Sequence, residues 1–554
     1  MSEIVKIFAL GGLDERGKNL YVVEINEDIF VLDCGMKYPE KTMPGIDSVF
    51  ADITYLKNNK DRVKAFIITH YHNDVIGALP YVLQDVNAPV YCTKRTRYYI
   101  EETAKQNFVD ISKAKFVEFT KDTTIKIAGR KVTLFAMTHS AGDNVGIAIS
   151  TDNGNIVYSS DFIFDFSASK NYVCNMSVLN KIASEGVLCL MCESEGCEVP
   201  GYTAPNHKIT NSIEKYFKEN NRIIISLYTQ SAYSITEVIF LIRKYGKKLC
   251  LYNRSMQRII KGLLQNKLIP SLDDILVDYS YLSDHEDVVV LVNGVGQYAF
   301  RELIMLADGN ADKNFSIRPT DRIIIATSPV PGLEIMAANA SDALYSSGAK
   351  VVTISKKQVC SMHAHSEDIK MLLNILKPKY FMPVKGEYKS LLANAMLAVD
   401  LNMGFDYSNV IVYDNGMVAK FVDGKKDNMY NEIIETGNVY VDGLGVGDVE
   451  NHVIITRQKM ADNGVVILGA TVSKSSRKVI AGPDVQMRGF IFLKDADNLV
   501  KDISTTFIDT LNEYLNTELQ DLEECKLRIK EKIIFKIKKS TGKDPLIIPA
   551  VIEL

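Results

Sequence analysis

The sequence predicts an α/β protein of several domains, on three observations. Its 554 residues correspond to about three or four domains at ordinary domain size. Short apolar runs bounded by turn residues recur through the first 210 positions as sheet strands do, and beyond them strand-like and helix-like runs alternate. Composition is the third: 47% apolar and 24% charged residues allow a large core and exclude a mainly disordered chain.

In the first stretch KIFAL, YVVEI, FVLDCG, KAFIITH, VTLFAMTHS, VGIAIS and NIVYSSDF read as strands, with helices at Ile76–Leu83 and Arg97–Gln106. From about 210 to 355 the order is RIIISLY, an amphipathic stretch from Ser234, KLCLYN, DVVVLVNG, DRIIIATS and KVVTIS. That alternation predicts a parallel sheet inserted as a domain of its own. Residues 366–450 return to mixed α/β, with a helix over Glu367–Leu376 and the strand YFMPV. The Gly-rich run Asp442–Asp448 reads as a turn, since no helix follows it as a dinucleotide fingerprint would need. The last unit is expected to hold strands around 453–493 and then one long charged helix, Asn498–Lys539. Its Lys526, Arg528, Lys530, Lys532, Lys536, Lys538 and Lys539 read as a solvated face in preference to an RNA contact.

Lys+Arg 64 against Asp+Glu 68 excludes a generic polycation that coats nucleic acid, while leaving room for a local basic channel. The start carries no secretory leader pattern, and no apolar run approaches the roughly 18 residues of a membrane span. Nine scattered cysteines fit a reducing compartment, so a cytoplasmic location is expected. Cys189 and Cys192 form a CxxC inside the apolar run GVLCLMC. Side chains three apart on a strand face opposite ways, so the pair reads as core, not as a chelate.

Histidine is scarce, at eight residues, so its placement carries information. His70 and His72 end the strand KAFIIT and are followed by Asn73 and Asp74. A strand-to-helix turn breaks the alternation of a strand and can aim two imidazoles and a carboxylate at one point. His139 ends a second apolar strand and Asp161 a third. Imidazole and carboxylate ligands from several strand ends suit zinc or manganese.

With these residues in place, THYHNDVIGALPYVL resembles the His-x-His-x-Asp-His signature of the metallo-β-lactamase superfamily. GGLDERGKNLYVVE, MTHSAGDNVGIAIS, SSDFIFD, LKPKYFMPVKGEY and AGPDVQMRGF resemble the ribonuclease J family over nearly the whole chain. The resemblance implies a metallo-β-lactamase αββα sandwich in two parts, 1–209 and 358–448. A β-CASP α/β domain at 210–357 is inserted between them, and a small α/β C-terminal domain at 449–554 follows. It also implies RNA as substrate, cut by two metals in 5′-to-3′ exonucleolytic and endonucleolytic modes.

Carried over by the resemblance, His70, His72, His139 and Asp161 match the first metal's ligands, and Asp74 with the shared Asp161 part of the second's. The family's last signature histidine is Val75 here, and the histidine of its His-Gly-Glu-Tyr turn is Lys385. Both losses fall on the second metal, so at most one ion, zinc or manganese, or none, is expected. Lys385 either fills the vacated position and neutralises Asp74 and Asp161 or points to solvent. The family's Ser-Gly-His-Gly loop on the RNA phosphate corresponds to Ser361, Met362, His363 and Ala364. His363 keeps a proton donor and joins Asp74 as a catalytic candidate; Met362 and Ala364 replace glycines that permit close backbone approach. Gln230 and Ser231 match a Ser-Asn phosphate contact, and 293–298 replace a Thr-Gly-Ser-Gln-Gly-Glu run. His365 has no family counterpart and reads as surface.

The leading expectation is a divergent ribonuclease J paralogue with weak or no activity alone. It would assemble with an active paralogue, as homodimer or hetero-oligomer, through its C-terminal and β-lactamase-like domains. The alternatives are a one-metal or manganese-dependent ribonuclease active in its own right and a metal-free RNA-binding scaffold. A small-molecule hydrolase is disfavoured, because the small-substrate relatives lack the inserted domain.

Overall fold

The computed structural model describes residues 2–40, 42–169, 171–228, 230–283, 285–293, 296–309, 315–329, 333–473, 475–490, 496–517 and 521–554. Two compact units emerge. The larger comprises Met1–Tyr38 and Ser48–Val439, the smaller Pro39–Asp47 and Tyr440–Leu554.

In the larger unit an eight-stranded and a six-stranded sheet share one apolar interior. Val5, Ile7 and Val23 of the first and Val132, Leu134 and Ile147 of the second lie in one buried cluster. The period-two pattern of each strand sends alternate residues to the other side. Phe135, Ala148, Val157 and Leu190 therefore meet Leu179, Ile182, Leu372 and Leu373 of the helices Met176–Ser184 and Ser366–Leu376. Cys189 lies in the inter-sheet interior and Cys192 beneath the helices, opposite faces as the strand reading requires. All nine cysteines are free.

The six-stranded sheet positions the chemistry. Strands Arg130–Ala136 and Gly154–Tyr158 both run antiparallel to Val145–Thr151, hence parallel to each other. Val187–Glu193 and Tyr380–Val384 continue in the same direction. Four strands thus end at one edge of the sheet, where the backbone leaves the ladder and the next side chains are free to converge.

The expected helix at Ile76–Leu83 is two helices, Asn73–Ile76 and Leu79–Asp85, parted at Gly77–Ala78. Pro80 explains the break: it cannot donate within a continuing helix, but is tolerated in a first turn. Between 223 and 353 the unit holds a five-stranded sheet whose paired strands are all parallel. Helices Ala232–Lys244, Asn253–Gln265, Gly296–Ala307 and Glu334–Ser346 lie between its strands in sequence. The strand–helix rhythm predicted this, since a parallel pair needs a long crossover.

The smaller unit departs from expectation twice. Residues 451–463 are a helix, and strands begin at Val465–Ser473 and Lys478–Arg488, joined by a final strand, Leu546–Glu553. The single long helix is two, Ala496–Leu515 and Leu522–Thr541. An unbroken helix over 498–539 would be about 63 Å long at 1.5 Å per residue, longer than a nine-residue strand by a factor of about two. Folding back buries Ile503, Phe507 and Leu511 together with Ile529, Ile533 and Ile537 against the same sheet. Asp521 starts the second helix as its N-cap, accepting from the Glu523 amide at 3.2 Å. In the Asp442–Asp448 run Val441 pairs with Val446 and Asp442 with Gly445, a tight turn. Among the described residues no helix is long and apolar enough to cross a membrane.

Candidate metal centre

The strand ends bring His70, His72, His139 and Asp161 together, with one ligand atom from each within 4.8 Å of the others. His70 and His72 follow the strand Val63–Ile67, and His72 is the N-cap of Asn73–Ile76. His70 Nε2 lies 3.4 Å and His139 Nε2 3.8 Å from Asp161 Oδ2, while His139 Nε2 faces His72 Nδ1 at 3.2 Å. The His139 Nδ1–H donates to the Met362 carbonyl at 2.8 Å. That bond fixes the tautomer with Nε2 bare, the arrangement a metal ligand needs.

The protonation states suit a cation. Burial, reinforced by the neighbouring imidazoles, holds His70 and His139 well below the ordinary histidine range. Burial likewise lowers His72, against the pull of Asp74 and Asp161. Burial alone would raise Asp161, but Lys385 and the histidines outweigh it and hold the carboxyl well below the usual range. Three neutral imidazoles and one carboxylate therefore converge. His70 Nε2 and Asp161 Oδ2 are buried without hydrogen bonds, a cost that an ion between them would remove. The donor set fits a zinc- or manganese-type ion.

Behind these groups lies Asp33, the residue after the strand Asp28–Leu32 of the eight-stranded sheet. It accepts from the Thr69 amide at 2.9 Å and the Tyr158 hydroxyl at 2.8 Å, and burial pushes its carboxyl up to about 6. Thr69 Oγ1 lies 3.0 Å from His70 Nδ1, so Asp33 positions a ligand through one intermediate.

The other flank of Asp161 faces a lysine. Lys385 Nζ stands 2.6 Å from Asp161 Oδ1 and 3.8 Å from Asp74 Oδ2, and the Lys385 and Asp161 side chains are each 1% exposed. The side chain is buried, not directed to solvent. Its place follows from a left-handed residue (φ 57°) just after the strand Tyr380–Val384, with its amide donating to the Gly12 carbonyl at 3.1 Å. Burial disfavours the ammonium, but Asp161, Asp74 and Asp33 raise its pKa well above the ordinary lysine value. Val75 is fully buried and carries no donor. Asn19 Nδ2 donates to Asp74 Oδ2 at 2.9 Å.

Beside Asp161 the predicted His363 pairs with a carboxylate that sequence reasoning missed, Glu193. His363 Nδ1–H donates to Glu193 Oε2 at 2.7 Å, and Glu193 Oε1 accepts from the amides of Phe162 at 2.6 Å and Ala364 at 3.1 Å. Burial works against the His363 proton, yet Glu195 and Glu193 push its pKa up to about 10; burial pushes Glu193 up to about 7. The signal was available: Glu193 closes an apolar strand just as His139 and Asp161 follow theirs.

The remaining predicted residues are dispersed in role. Ser361 is exposed, and the Met362 and Ala364 side chains are buried, with Ala364 inside the core. The Gln230 carbonyl accepts from the Tyr71 hydroxyl at 3.3 Å, one residue from the ligands His70 and His72 in sequence. The Ser231 hydroxyl caps the helix Ala232–Lys244 through the Ser234 amide at 3.3 Å. The side chains of 293–298 lie outside the described residues. His365, expected at the surface, is 7% exposed and begins the helix Ser366–Leu376, its amide donating to Thr203 Oγ1 and Asp368 Oδ2.

One glycine holds the carboxylate turn in place. A Cβ at Gly35 would fall 1.6 Å from the Asp74 carbonyl oxygen and 2.7 Å from the Val75 nitrogen. Gly35→Ala is expected to cost about 1–3 kcal/mol through this overlap and to displace Asp74. Denaturant titration checks it, and an unchanged midpoint would show that the turn yields freely.

Comparison with known proteins follows the same domains. Residues 13–173 match the metallo-beta-lactamase superfamily and 220–344 the ribonuclease J beta-CASP domain. Residues 350–408 match a Zn-dependent metallo-hydrolase RNA specificity domain, and 452–554 the ribonuclease J C-terminal domain. Ribonuclease J 2 of Staphylococcus aureus (strain NCTC 8325 / PS 47) is 31% identical over 553 residues, 99% of this chain and 98% of that one. The chain belongs to the ribonuclease J family. Ribonuclease J 2 of Staphylococcus epidermidis is likewise 31% identical, over 565 residues with the same coverage. A crystal structure of a protein of unknown function from Enterococcus faecalis V583 shares the fold, with a TM-score of 0.52 at 15% identity. It covers 76% of this chain and 100% of its own. The ribonuclease J assignment makes the two-sheet sandwich a metallo-β-lactamase domain, the parallel sheet its β-CASP insert and the last unit the family's C-terminal domain.

Proposed function

We propose that this chain is a ribonuclease J-like protein of RNA processing and decay whose centre takes one ion instead of two. In this reading it is weak or inactive alone and acts in the cytoplasm together with an active ribonuclease J paralogue. The supporting observation is the Lys385 ammonium 2.6 Å from Asp161 Oδ1, since a fixed ammonium and a dication on the same carboxylate oxygen repel each other.

His70, His72, His139 and Asp161 Oδ2 would hold the single zinc or manganese ion, which when bound supplies Lewis acidity and a water of lowered pKa. The protein's own groups do the rest. His363, kept protonated between carboxylates, is the general acid for the leaving oxygen. Asp74, held by Asn19, orients the attacking water by accepting a hydrogen bond. Gln230, Ser361 and His363 line the RNA path, with the buried Met362 and Ala364 holding their loop in place and Ser231 capping the adjoining helix. What the site lacks is a second cation on the leaving oxygen, and losing such a stabiliser typically costs a hundredfold or more in rate. A two-metal paralogue would then do most of the cutting. Association, as homodimer or hetero-oligomer, would use the C-terminal and β-lactamase-like domains.

The retention of all four first-site ligands favours a second reading, a one-metal or manganese-dependent ribonuclease active in its own right. Decay of a 3′-labelled, 5′-monophosphorylated RNA by highly purified protein with manganese separates the two. Asp161→Ala, prepared identically, controls for contaminating nuclease. Slow or negligible decay is expected; robust decay that vanishes in Asp161→Ala would overturn the leading reading. Equal, negligible decay together with retained RNA binding and no bound metal would leave a scaffold.

A further inference from the structure

A second internal charge occupies the same centre. Glu193 ends the strand Val187–Glu193, and the chain then turns, with the Ser194 amide donating to the Lys385 carbonyl at 3.2 Å and the Cys197 amide to the Ser194 carbonyl at 3.3 Å. A Cβ at Gly196 would fall 2.5 Å from the Ala364 carbonyl oxygen, so this turn lies directly against the loop that carries His363. Glu195 sits between these pinned residues. Its Oε2 stands 3.6 Å from His363 Nε2, and its side chain is 25% exposed.

Both ring nitrogens of His363 face carboxylates, Nδ1 at 2.7 Å from Glu193 Oε2 and Nε2 at 3.6 Å from Glu195 Oε2. The Nδ1–H is committed to Glu193, a fully buried carboxylate with three hydrogen-bonded neighbours. The Nε2–H is the one left for an external oxyanion, and Glu195 already faces it. At 3.6 Å the contact is an ion pair longer than a hydrogen bond, held by charge alone. A phosphate oxygen at hydrogen-bond distance would bind the same proton better, but it must first displace a carboxylate of like charge. The local sum opposes it further. Lys385 and His363 are the two cations, and four carboxylates face them: Asp161, which lies near both, with Asp74, Glu193 and Glu195. Before any metal binds, the site is therefore acidic.

We propose that Glu195 is an internal phosphate surrogate: it fills the oxyanion position at His363 Nε2 and sets the affinity of the site for RNA phosphate. The proposal rests on the reading of this centre as an RNA site. Its consequence is that wild-type protein binds phosphate oxyanions there poorly, and that removing one negative charge at position 195 opens the seat.

The test measures binding of two probes to the full chain in metal-free, low-salt buffer: inorganic phosphate by calorimetry and a 5′-monophosphorylated oligoribonucleotide by fluorescence anisotropy. Glu195→Gln, which keeps the shape and drops the charge, is expected to bind both at least about tenfold more tightly. Adding His363→Gln to it should abolish the gain. Glu195→Asp retains the charge on a shorter arm and should fall between, which keeps the idea testable if the glutamine variant folds poorly. Phosphate affinity within twofold of wild type in both variants would overturn the proposal, whatever the RNA result. If Glu195→Gln gains phosphate while neither protein binds the oligoribonucleotide, the surrogate stands and the RNA reading falls. If both bind the oligoribonucleotide equally and phosphate is unchanged, the RNA reading stands and the surrogate falls.

Discussion

Lys385→Ala is expected to lower the stability of the larger unit by about 3–5 kcal/mol, the usual cost of breaking a buried ion pair from one side. The Lys385 and Asp161 side chains are each 1% exposed and 2.6 Å apart. Without the ammonium, Asp161 keeps its burial and loses the first of the charges that hold its carboxyl ionised. Asp74 Oδ2, 3.8 Å from the same nitrogen, loses a partner as well. Lys385→Met, which fills most of the volume, should recover only the cavity part of the loss. Equilibrium denaturation of the three proteins reads this directly, and a midpoint unmoved by Lys385→Ala would show that the ammonium does not neutralise the pair. A second readout follows from the same charges: millimolar manganese should stabilise the alanine variant more than the wild type, because a vacated cation position is then available.

The second large effect is a gain. On the proposed one-ion reading, Val75→His combined with Lys385→His is expected to raise metal content to two ions per chain and to increase RNA decay by about a hundredfold or more, the size of a restored leaving-group stabiliser. Val75 follows Asp74 directly on the helix Asn73–Ile76, and Lys385 lies against the far oxygen of Asp161. An imidazole at 385 would thus arrive on the side of Asp161 away from His70 and His139. Elemental analysis of the dialysed protein gives the stoichiometry without reference to activity. The buried Val75 site makes overpacking a concern, with a typical cost of about 1–3 kcal/mol, so the single Val75→His variant is measured alongside. A double variant that is folded and still holds one ion would refute the account of what the two substitutions removed.

Much of this centre was legible in the chain. His70, His72, His139 and Asp161 were identified because each is a ligand-type residue at the end of an apolar run, and strand ends are where side chains leave the ladder. The same rule applies to Glu193 and Asp33, which close VLCLMC and FVL. They passed unnoticed because a carboxylate after a strand is also an ordinary turn residue, and only burial distinguishes the two cases. His365 was misjudged for the complementary reason. A histidine before a helix reads as polar surface until the neighbouring turn covers it. In the C-terminal unit one helix ends at Leu515 and the next starts at Leu522, and the sequence 516–521 has neither proline nor glycine. Both halves keep the apolar spacing of one continuous helix, so local preference could not separate them; burial of both stripes on one short sheet did.

The sequence by itself determined the strand–helix alternation of the parallel-sheet region and the ligand chemistry available at the strand ends, because periodicity and residue type are local properties. The tertiary structure decided which charge answers which. Asp161 and Lys385 meet because Gly154–Tyr158 and Tyr380–Val384 lie one strand apart in one sheet and run the same way. The turn after Glu193 brings Glu195 to His363 by packing against a loop far along the chain. Contacts of that kind depend on long-range pairing and on burial, which strengthens each charge by removing its water, and neither is written in any short stretch of residues.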